Sequence, residues 1–510
     1  MKYTVKEYPD LREKVKTMDV EQLLRCVIIP DIHSGWTPDY RNVGVFVHVV
    51  TSQEAIDITQ GAKLHADHPM LFVADLEAGA GDSVVGETKF PMMRAAGAAD
   101  DEKLAYRMGE VCAAEGRKVG FTWTFAPCVD ICTNHDNPIV STRAVGEDVE
   151  QVIRIGGAYM RGLQDHGVAA TLKHFPGDGL CRFDQHLTTT ENPMTMEQWR
   201  ETFGRVYREL IDQGAMSVMP GHITLPAYDD IDAETGLYPP ATMSKRLMSD
   251  LLKDELGFEG IIVSDATVMG GFGGYINYYE GCVRFLEAGG DCLLFVNDQD
   301  RVVKNLVRLT ESGRLSIDTL RNRAYRMMCF ARDVCSAEYI QSTVTKAEAK
   351  AVSDAIVEKA VTVVRNRKSL LPYNLTKDTK VLHLVFSNNY PPEYADDLTA
   401  ELKKITDHVD VYVDVGPKKN LELAEDGGYD LIVCTVGKIT ATGWNTARLH
   451  GRIARNMMDG WTKIGPPVVF VNYGHPHWDE EYIGADTIIN TYGYTNHTAS
   501  VVVKKITGTK

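Results

Sequence analysis

The sequence predicts an α/β protein, a (β/α)₈-type TIM barrel followed by a smaller three-layer α/β sandwich domain. Eight short apolar runs alternate with helical stretches up to about residue 335, and a second alternation follows after residue 347. The length of 510 residues also exceeds that of one ordinary domain. We therefore expect the barrel at 1–336, a linker at 337–350 and the second domain at 351–510.

The barrel strands are predicted from runs that are apolar almost throughout, as expected of parallel strands covered on both faces. These runs are 26–32, 43–48, 69–75, 119–126, 168–174, 214–219, 259–265 and 291–296. Eight such units in one domain favour a closed barrel over an open sheet.

The remaining elements follow from the same alternation. Residues 299–335 predict two charged helices, and 347–366 predict one helix that begins the second domain. The strands expected in that domain are 380–386, 409–413, 429–435, 467–472 and 486–490. The glycine-rich segment 270–274 lacks the context of a dinucleotide site and predicts a flexible loop.

Composition narrows the classes of function. A net charge of −16 and a pI near 5.4 argue against a nucleic-acid or anionic-membrane partner, because both need a basic face. The first residues lack an export signal, and no apolar run reaches the roughly 20 residues of a membrane span. The ten scattered cysteines show no zinc-ligand spacing and predict reduced thiols. We expect a cytoplasmic protein with a small polar substrate.

Polar side chains end or follow several of the apolar runs. Barrel enzymes assemble their sites at the carboxyl ends of the strands. The residues at these positions are Asp75, Asp130, Lys173, His174, His222 and Asp265. We expect them at one end of the barrel.

Asp184 and His186 lie two residues apart on the loop that follows Lys173 and His174. An aspartate beside a histidine can accept the Nδ1–H of the ring and leave Nε2 to exchange a proton with a substrate. The same spacing also arises by chance in a solvated loop, so spacing alone leaves both interpretations open.

Asp265 ends the run GlyIleIleValSerAsp. A carboxylate at the end of a buried strand can attack an anomeric carbon, or it can cap the next helix. Arg143 and Lys173 could hold sugar hydroxyls or form structural ion pairs. Lys173 could also form a Schiff base, although nothing else in the chain requires one.

Several motifs occur together in one order: AspLeuGlu at 75–77, PheAlaProCysValAspIle at 125–131, AsnProIleValSerThrArg at 137–143, LysHisPheProGly at 173–177, IleIleValSerAsp at 261–265 and GluLysAlaValThrValValArgAsn at 358–366. With these motifs the chain resembles glycoside hydrolase family 3, and within it the NagZ-like β-N-acetylglucosaminidase branch. The resemblance covers most of the chain.

The resemblance implies that Asp265 is the nucleophile, His186 the acid/base and Asp184 its partner. It also implies five residues that hold the sugar, namely Asp75, Arg143, Lys173, His174 and His222. The expected activity is that of a retaining, exo-acting β-N-acetylglucosaminidase that needs no metal or organic cofactor. A β-glucosidase, a phosphorylase that uses phosphate as acceptor, and a barrel that binds sugar without cleaving it are the alternatives.

The chain departs from the family pattern at three places. The arginine of the family motif AspxGluGlyGlyArg is replaced in AspLeuGluAlaGlyAla at 75–80, and Asp178 stands where NagZ-like enzymes commonly have histidine. The chain ends without the extra β-sandwich of many β-glucosidases of the family, which favours the NagZ-like branch. If the acid/base instead came from the second domain, Glu480 or Glu481 would supply it.

Overall fold

The computed structural model describes residues 2–388, 393–438 and 444–509. The chain divides into two compact units. The first comprises Met1–Lys89, Glu102–Asn134 and Ala144–Ala349, and the second comprises Phe90–Asp101, His135–Arg143 and Lys350–Lys510. Both units combine parallel strands with helices, so the predicted α/β class is confirmed.

The main strands of the first unit fall in the eight predicted apolar runs. They are Ile28–Ile29, Asp31–Ile32, Gly44–Val47, Leu71–Ala74, Trp123–Thr124, Thr171–Phe175, Ser217–Pro220, Ile261–Ile262 and Leu293–Leu294. Two short pairs accompany them, Val50–Thr51 with Val84–Val85 and Thr190–Glu191 with Ile223–Thr224. Nearly all of these main-strand residues are buried, which explains why the runs are apolar on both faces.

Neighbouring main strands pair in parallel. The partners are Ile28 with Leu293, Asp31 with Phe46, Gly44 with Leu71, Val73 with Trp123, Thr171 with Ser217, and Ser217 with Ile261. Single bridges also join Trp123 to Ala169 and Val263 to Cys292. The carboxyl ends of the paired strands therefore share an edge.

Helices between these strands begin at residues whose side chains cap them. Asp19, Thr51 and Thr195 each form a reciprocal capping box with a residue three positions later. The helices of the first unit are Pro9–Thr17, Val20–Cys26, Ser52–His65, Glu102–Lys118, Val149–Asp165, Met196–Glu201, Phe203–Asp212, Arg246–Glu255, Gly270–Gly273, Tyr278–Ala288, Gln299–Glu311 and Ile317–Ser336. The last two confirm the charged helices predicted at 299–335.

The second unit is built on one six-stranded sheet. Its strands lie in the order Thr362–Asn366, Thr487–Asn490, Val468–Asn472, Leu431–Gly437, Val381–Ser387 and Val409–Val413. The first pair is antiparallel and the others are parallel. The helices are Met93–Ala99, Lys346–Ala360, Glu393–Lys403, Pro417–Asp426, Gly451–Asn456 and Thr498–Thr507.

Each face of this sheet has its own apolar core. Val381 and Val385 pack in one core with helical residues such as Leu398. Leu382 and Leu384 pack in the other with residues such as Leu423. The alternation follows from the period of two in a strand, which sends successive side chains to opposite faces.

The helix predicted at 347–366 is wrong at its carboxyl end. The helix stops at Ala360, and Thr362–Asn366 forms an edge strand opposite Thr487–Asn490. The sequence ValThrValVal at 361–364 is β-branched throughout, which favours a strand over continuation of a helix.

Two expectations from composition concern the cysteines and the apolar character of the helices. None of the ten cysteines forms a disulfide, and eight of them are buried. Within the three ranges that the structure describes, no helix has both the length and the apolar character needed to cross a bilayer.

Candidate active site

Asp265 lies at the carboxyl end of strand Ile261–Ile262. Its Oδ1 accepts the backbone N–H of Ala266 at 2.8 Å, and its own N–H donates to the carbonyl of Pro220. In the described part of the chain, Oδ2 is buried without a hydrogen-bond partner. Because buried polar atoms are nearly always satisfied, this oxygen is available to a ligand.

Three histidines determine the charge of Asp265. Burial alone would raise the pKa of this carboxyl, but electrostatic interaction with the neighbouring imidazoles of His174, His222 and His186 outweighs burial and holds the pKa below its ordinary value. Nε2 of His174 is 4.0 Å from Oδ2 of Asp265. The carboxylate is therefore ionised at neutral pH, as a nucleophile must be.

The structure brings Asp184 and His186 into direct contact. Nδ1 of His186 donates to Oδ1 of Asp184 at 2.7 Å, and the backbone N–H of His186 donates to the same oxygen at 2.8 Å. Asp184 is fully buried, whereas the His186 side chain is 23% exposed. No described side chain hydrogen-bonds Nε2 of His186, which leaves that atom for proton transfer.

The segment 270–274, predicted as a flexible loop, instead forms the short helix Gly270–Gly273 beneath this loop. The N–H of Gly270 donates to the carbonyl of His186 at 2.8 Å, and that of Gly271 to the carbonyl of Gln185 at 3.1 Å. A Cβ on Gly271 would lie 2.5 Å from the carbonyl oxygen of Gln185. Glycine is thus required here because the two backbones approach closely.

Asp130 fixes the start of the loop. Its Oδ2 accepts Nδ1–H of His174 at 2.7 Å, and its Oδ1 accepts the N–H groups of His174 and Asp178 at 3.1 and 2.8 Å. Burial opposes ionisation of Asp130, but the charge and hydrogen bond of His174 lower its pKa below the ordinary value. The His174 ring is thereby turned so that Nε2 points towards Asp265.

Lys173 lies between two carboxylates. Its Nζ is 2.7 Å from Oε1 of Glu77 and 3.0 Å from Oδ1 of Asp75. Lys173 and Glu77 are buried, whereas the Asp75 side chain is half exposed. Asp75 therefore remains accessible to a ligand, and the lysine charge is largely offset by its two partners.

His222 is bonded to the protein through both ring nitrogens. Nε2 donates to the carbonyl of Ala266 at 3.0 Å, and Nδ1 is 3.0 Å from the hydroxyl of Thr242. Burial lowers the pKa of His222. Through these contacts the ring supports the segment after Asp265, and sugar binding by His222 stays a prediction.

Arg143, Glu480 and Glu481 belong to the second unit. The backbone N–H of Arg143 donates to the carbonyl of Val140. Oε1 of Glu480 is 2.7 Å from Nδ1 of His135, and Glu481 accepts the N–H of Leu449. Sugar binding by Arg143 stays a prediction.

An apolar rim, which we define as Phe183, Leu187 and Val268, flanks the candidate catalytic residues in sequence. Each of these side chains is about half exposed. Phe183 and Leu187 bracket the Asp184–His186 pair, and Val268 follows Asp265 by three residues. Exposed apolar groups beside a polar site are typical of a surface that contacts a ligand.

Sequence reasoning missed three supporting residues. Glu77 forms an ion pair with Lys173, which also pairs with Asp75, and Gln185 accepts the N–H of His222. Gly271 donates its N–H to the loop that holds Asp184 and His186. The sequence places Asp130 after a predicted strand but does not reveal its hydrogen bond to His174. Glu77 lies in a family motif, but its contact with Lys173 depends on how two distant strands pair.

Comparison with known proteins identifies the family. The model of the glycosyl hydrolase family 3 N-terminal domain matches residues 13–329. A β-N-acetylglucosaminidase/β-glucosidase of Cellulomonas fimi is 28% identical over 480 residues, which cover 88% of this chain and 83% of that protein. A β-hexosaminidase of Glaesserella parasuis serovar 5 is 33% identical over 243 residues, or 47% of this chain and 68% of that protein.

A solved structure extends the likeness to both units. The β-glucoside phosphorylase BglX is 26% identical and superposes with a TM-score of 0.89, covering 98% of this chain and 93% of that chain. The relatives thus include proteins named for cleavage of glycosides and one named for phosphorolysis.

Proposed function

Since the chain belongs to glycosyl hydrolase family 3 and is a glycoside-cleaving enzyme, we propose that it is a retaining, exo-acting β-N-acetylglucosaminidase. It removes terminal β-linked N-acetylglucosamine through a covalent glycosyl-aspartate on Asp265. The observation that carries this proposal is the 2.7 Å contact between His186 and Asp184, on a loop tied by backbone hydrogen bonds to the segment after Asp265.

In the first step Oδ2 of Asp265 attacks the anomeric carbon and the bond to the leaving oxygen breaks. The ionised state of Asp265 and its lack of a hydrogen-bond partner at Oδ2 support this role. His174, whose ring Asp130 orients, stabilises the carboxylate before attack.

His186 supplies the proton to the leaving oxygen from Nε2, and Asp184 stabilises the imidazolium form before that transfer. In the second step the neutral ring removes a proton from the acceptor, which displaces Asp265 from the sugar. The partial exposure of His186 supports contact with both the leaving group and the acceptor.

Sugar binding is proposed for the remaining predicted residues. Asp75, half exposed beside Lys173, accepts hydrogen bonds from sugar hydroxyls, and Lys173 holds the Asp75 carboxylate in place. Arg143, His174 and His222 complete the proposed set.

We also propose that the main strands of the first unit close into a (β/α)₈ barrel, in which Ile28–Ile29 and Asp31–Ile32 together form one of the eight strands. The order of parallel pairs supports closure, since each strand has two neighbours and the segment 28–32 pairs with Leu293–Leu294 on one side and Gly44–Val47 on the other. The domain limits at 336 and 351 remain predictions.

The choice of sugar rests on the relatives. N-acetylglucosamine is favoured by the name of the Glaesserella β-hexosaminidase and by the histidine–aspartate pair, whereas the Cellulomonas protein is named for both sugars. Glucose is the alternative, because Asp178 is buried where NagZ-like enzymes commonly have histidine and because the family arginine after Asp75 is replaced.

Phosphorolysis is a second candidate. The TM-score of 0.89 to a β-glucoside phosphorylase favours it. His186 acting as base carries no negative charge, whereas a glutamate in that role would repel a phosphate dianion. Asp75 and Glu77 offset the charge of Lys173, so Arg143 is the cation that we propose for binding the phosphate acceptor.

One experiment separates these functions. The full chain is incubated with an aryl β-N-acetylglucosaminide or an aryl β-glucoside while the phosphate concentration is raised, and products are followed by ³¹P and ¹H NMR. Free N-acetylglucosamine at a phosphate-independent rate supports the proposed hydrolase. A sugar 1-phosphate whose yield rises with phosphate establishes the phosphorylase, and no turnover of either glycoside contradicts both.

A further inference from the structure

A second group of polar side chains lies at the paired strands Asp31–Ile32 and Gly44–Val47. Asp31 opens strand Asp31–Ile32, His33 follows that strand, and His48 follows strand Gly44–Val47. Neither the proposed reaction nor the sugar-binding set uses these residues.

The strand register brings the three side chains together. Asp31 lies opposite Phe46, Ile32 lies opposite Val47, and the N–H of His48 donates to the carbonyl of Ile32. His33 and His48 are therefore adjacent at the next position of two parallel strands. Asp31 shares the face of His33, because side chains two apart on a strand point the same way.

The Nε2 atoms of both imidazoles lie near one carboxylate oxygen, and that of His48 is hydrogen-bonded to it. Nε2 of His48 is 3.1 Å and Nε2 of His33 is 3.3 Å from Oδ2 of Asp31. The two rings are parallel, with centroids 4.2 Å apart. The three candidate ligand atoms lie within 4.8 Å of one another. A cation that replaces the Nε2 proton of His48 lies outside the plane of the parallel His33 ring, so the half-exposed His33 side chain must turn to present its Nε2 to the same ion.

These separations match those of a bound metal ion. Zinc bonds of about 2.0–2.2 Å to nitrogen and oxygen at tetrahedral angles place neighbouring donors about 3.3–3.5 Å apart. The measured 3.1 and 3.3 Å are close to this range, so the three donors can reach one ion once the His33 ring turns. Two imidazoles and one carboxylate suit zinc and the neighbouring divalent transition metals, whereas magnesium and calcium prefer oxygen ligands alone.

The cluster of Asp31, His33 and His48 is exposed to solvent on one side and contacts aromatic rings on the other. The His33 side chain is half exposed, and those of Asp31 and His48 are one-third exposed. Beneath them the ring of His48 contacts Phe46 and Phe295 at centroid distances of 5.0 and 5.5 Å. An ion could enter from solvent, and an apolar floor would limit competing hydration.

We propose that Asp31, His33 and His48 form a binding site for Zn²⁺ or a similar divalent transition metal. Three protein ligands leave the fourth position to water or to an oxygen of a small anion. The site uses none of the residues that are assigned to the proposed glycosidase reaction.

Trp36 provides a reporter within the site. Its ring packs edge-on against His33 with centroids 5.4 Å apart, and its side chain is exposed. Co²⁺ can substitute for zinc at sites of this ligand type, and a paramagnetic ion next to an indole quenches its fluorescence. Binding at this site can thus be told from binding elsewhere in the chain.

The test uses the full chain stripped with a chelator and titrated with Zn²⁺ and Co²⁺. We expect one tight equivalent of metal, accompanied by quenching of Trp36 with Co²⁺. His33→Asn and His48→Asn should each lose this equivalent, with a weakening beyond the roughly 10–100-fold caused by outer-ligand changes. Trp36→Phe should keep the equivalent and lose the quenching, and the exposed His408→Asn serves as the matched control.

Melting of the metal-free variants confirms that each is folded before titration. Equal stoichiometry and affinity in the native chain, His33→Asn and His48→Asn would overturn the proposal, as would quenching that survives in Trp36→Phe. Metal content is measured directly, so this outcome does not depend on whether the chain cleaves any glycoside.

Discussion

The Nδ1 atom of His186 lies 2.7 Å from Oδ1 of Asp184, and the same oxygen accepts the backbone N–H of His186. One buried carboxylate oxygen therefore fixes both the ring and the backbone of the proposed acid/base. This arrangement selects the tautomer that keeps a lone pair on Nε2 when the ring is neutral.

His186→Ala should slow glycosides with poor leaving groups by about 10²–10⁴-fold and those with acidic phenols far less, because only the former need protonation. Asp184→Asn should give a smaller loss of the same kind. The measurement is kcat/KM against leaving-group acidity. If Glu480→Gln or Glu481→Gln produces this dependence and His186→Ala does not, the acid/base belongs to the second unit.

Asp265→Asn should abolish most turnover, with a loss on the order of 10⁴-fold or more, because an amide cannot form the glycosyl ester. The fold should be retained, since the two side chains are nearly isosteric. Trapping of a glycosyl-enzyme on Asp265 in the native chain, followed by mass spectrometry, provides the independent check. Near-normal activity of the variant would contradict the assignment.

Gly271→Ala should displace Asp184 and His186 without changing either residue, because the new Cβ would press on the carbonyl of Gln185, which lies between them in sequence. Gly273→Ala is the matched control, since a Cβ there meets no atom within 4 Å. We expect reduced kcat for poor leaving groups in Gly271→Ala. Gly273→Ala should keep its activity and gain up to about 1 kcal/mol of stability. Equal effects of both would argue against the close backbone contact as the cause.

Lys173→Met should destabilise the first unit by about 3–5 kcal/mol, because it leaves the buried carboxylate of Glu77 without its cation. The double variant Lys173→Met/Glu77→Gln should recover part of this loss. Urea denaturation of the single and double variants measures the coupling. Full additivity would show that the 2.7 Å ion pair contributes nothing.

His383 gives a pH-dependent prediction in the second unit. Burial lowers its pKa to about 3, with Thr399 and Thr435 bonded to its two ring nitrogens. The unfolded chain binds this proton more readily, so its contribution to stability is lost as pH falls below about 6.5. The difference in urea midpoint between the native chain and His383→Gln should therefore narrow from pH 7 to pH 5. A difference that stays constant over this pH range would contradict the prediction.

The fold was predictable where burial alone dictates residue type. Strands covered on both faces must be apolar, so the eight runs located the main strands. The strand Thr362–Asn366 was missed because no glycine or proline separates it from the helix that ends at Ala360. The short Gly270–Gly273 helix was missed because glycine runs are poor helix formers by themselves and are selected here by the backbone packed against them.

The site was predictable where its residues are close in sequence or end a strand. Asp184 and His186 are two apart, and Asp265 terminates an apolar run. The contact of Glu77 with Lys173 and the convergence of His33 with His48 depend on strand pairing and register, which residue spacing within one segment does not encode. The sequence accordingly predicted no metal centre.

The apolar rim of Phe183, Leu187 and Val268 can change in sequence without loss of the fold. The Gly270–His186 and Gly271–Gln185 backbone hydrogen bonds, and not the rim side chains, hold the loop that carries Asp184 and His186. Random substitution at these three exposed positions should therefore alter which leaving groups are accepted while leaving the protein folded and the reaction intact. They are a compact target for laboratory evolution, and natural relatives could acquire new aglycones by the same route.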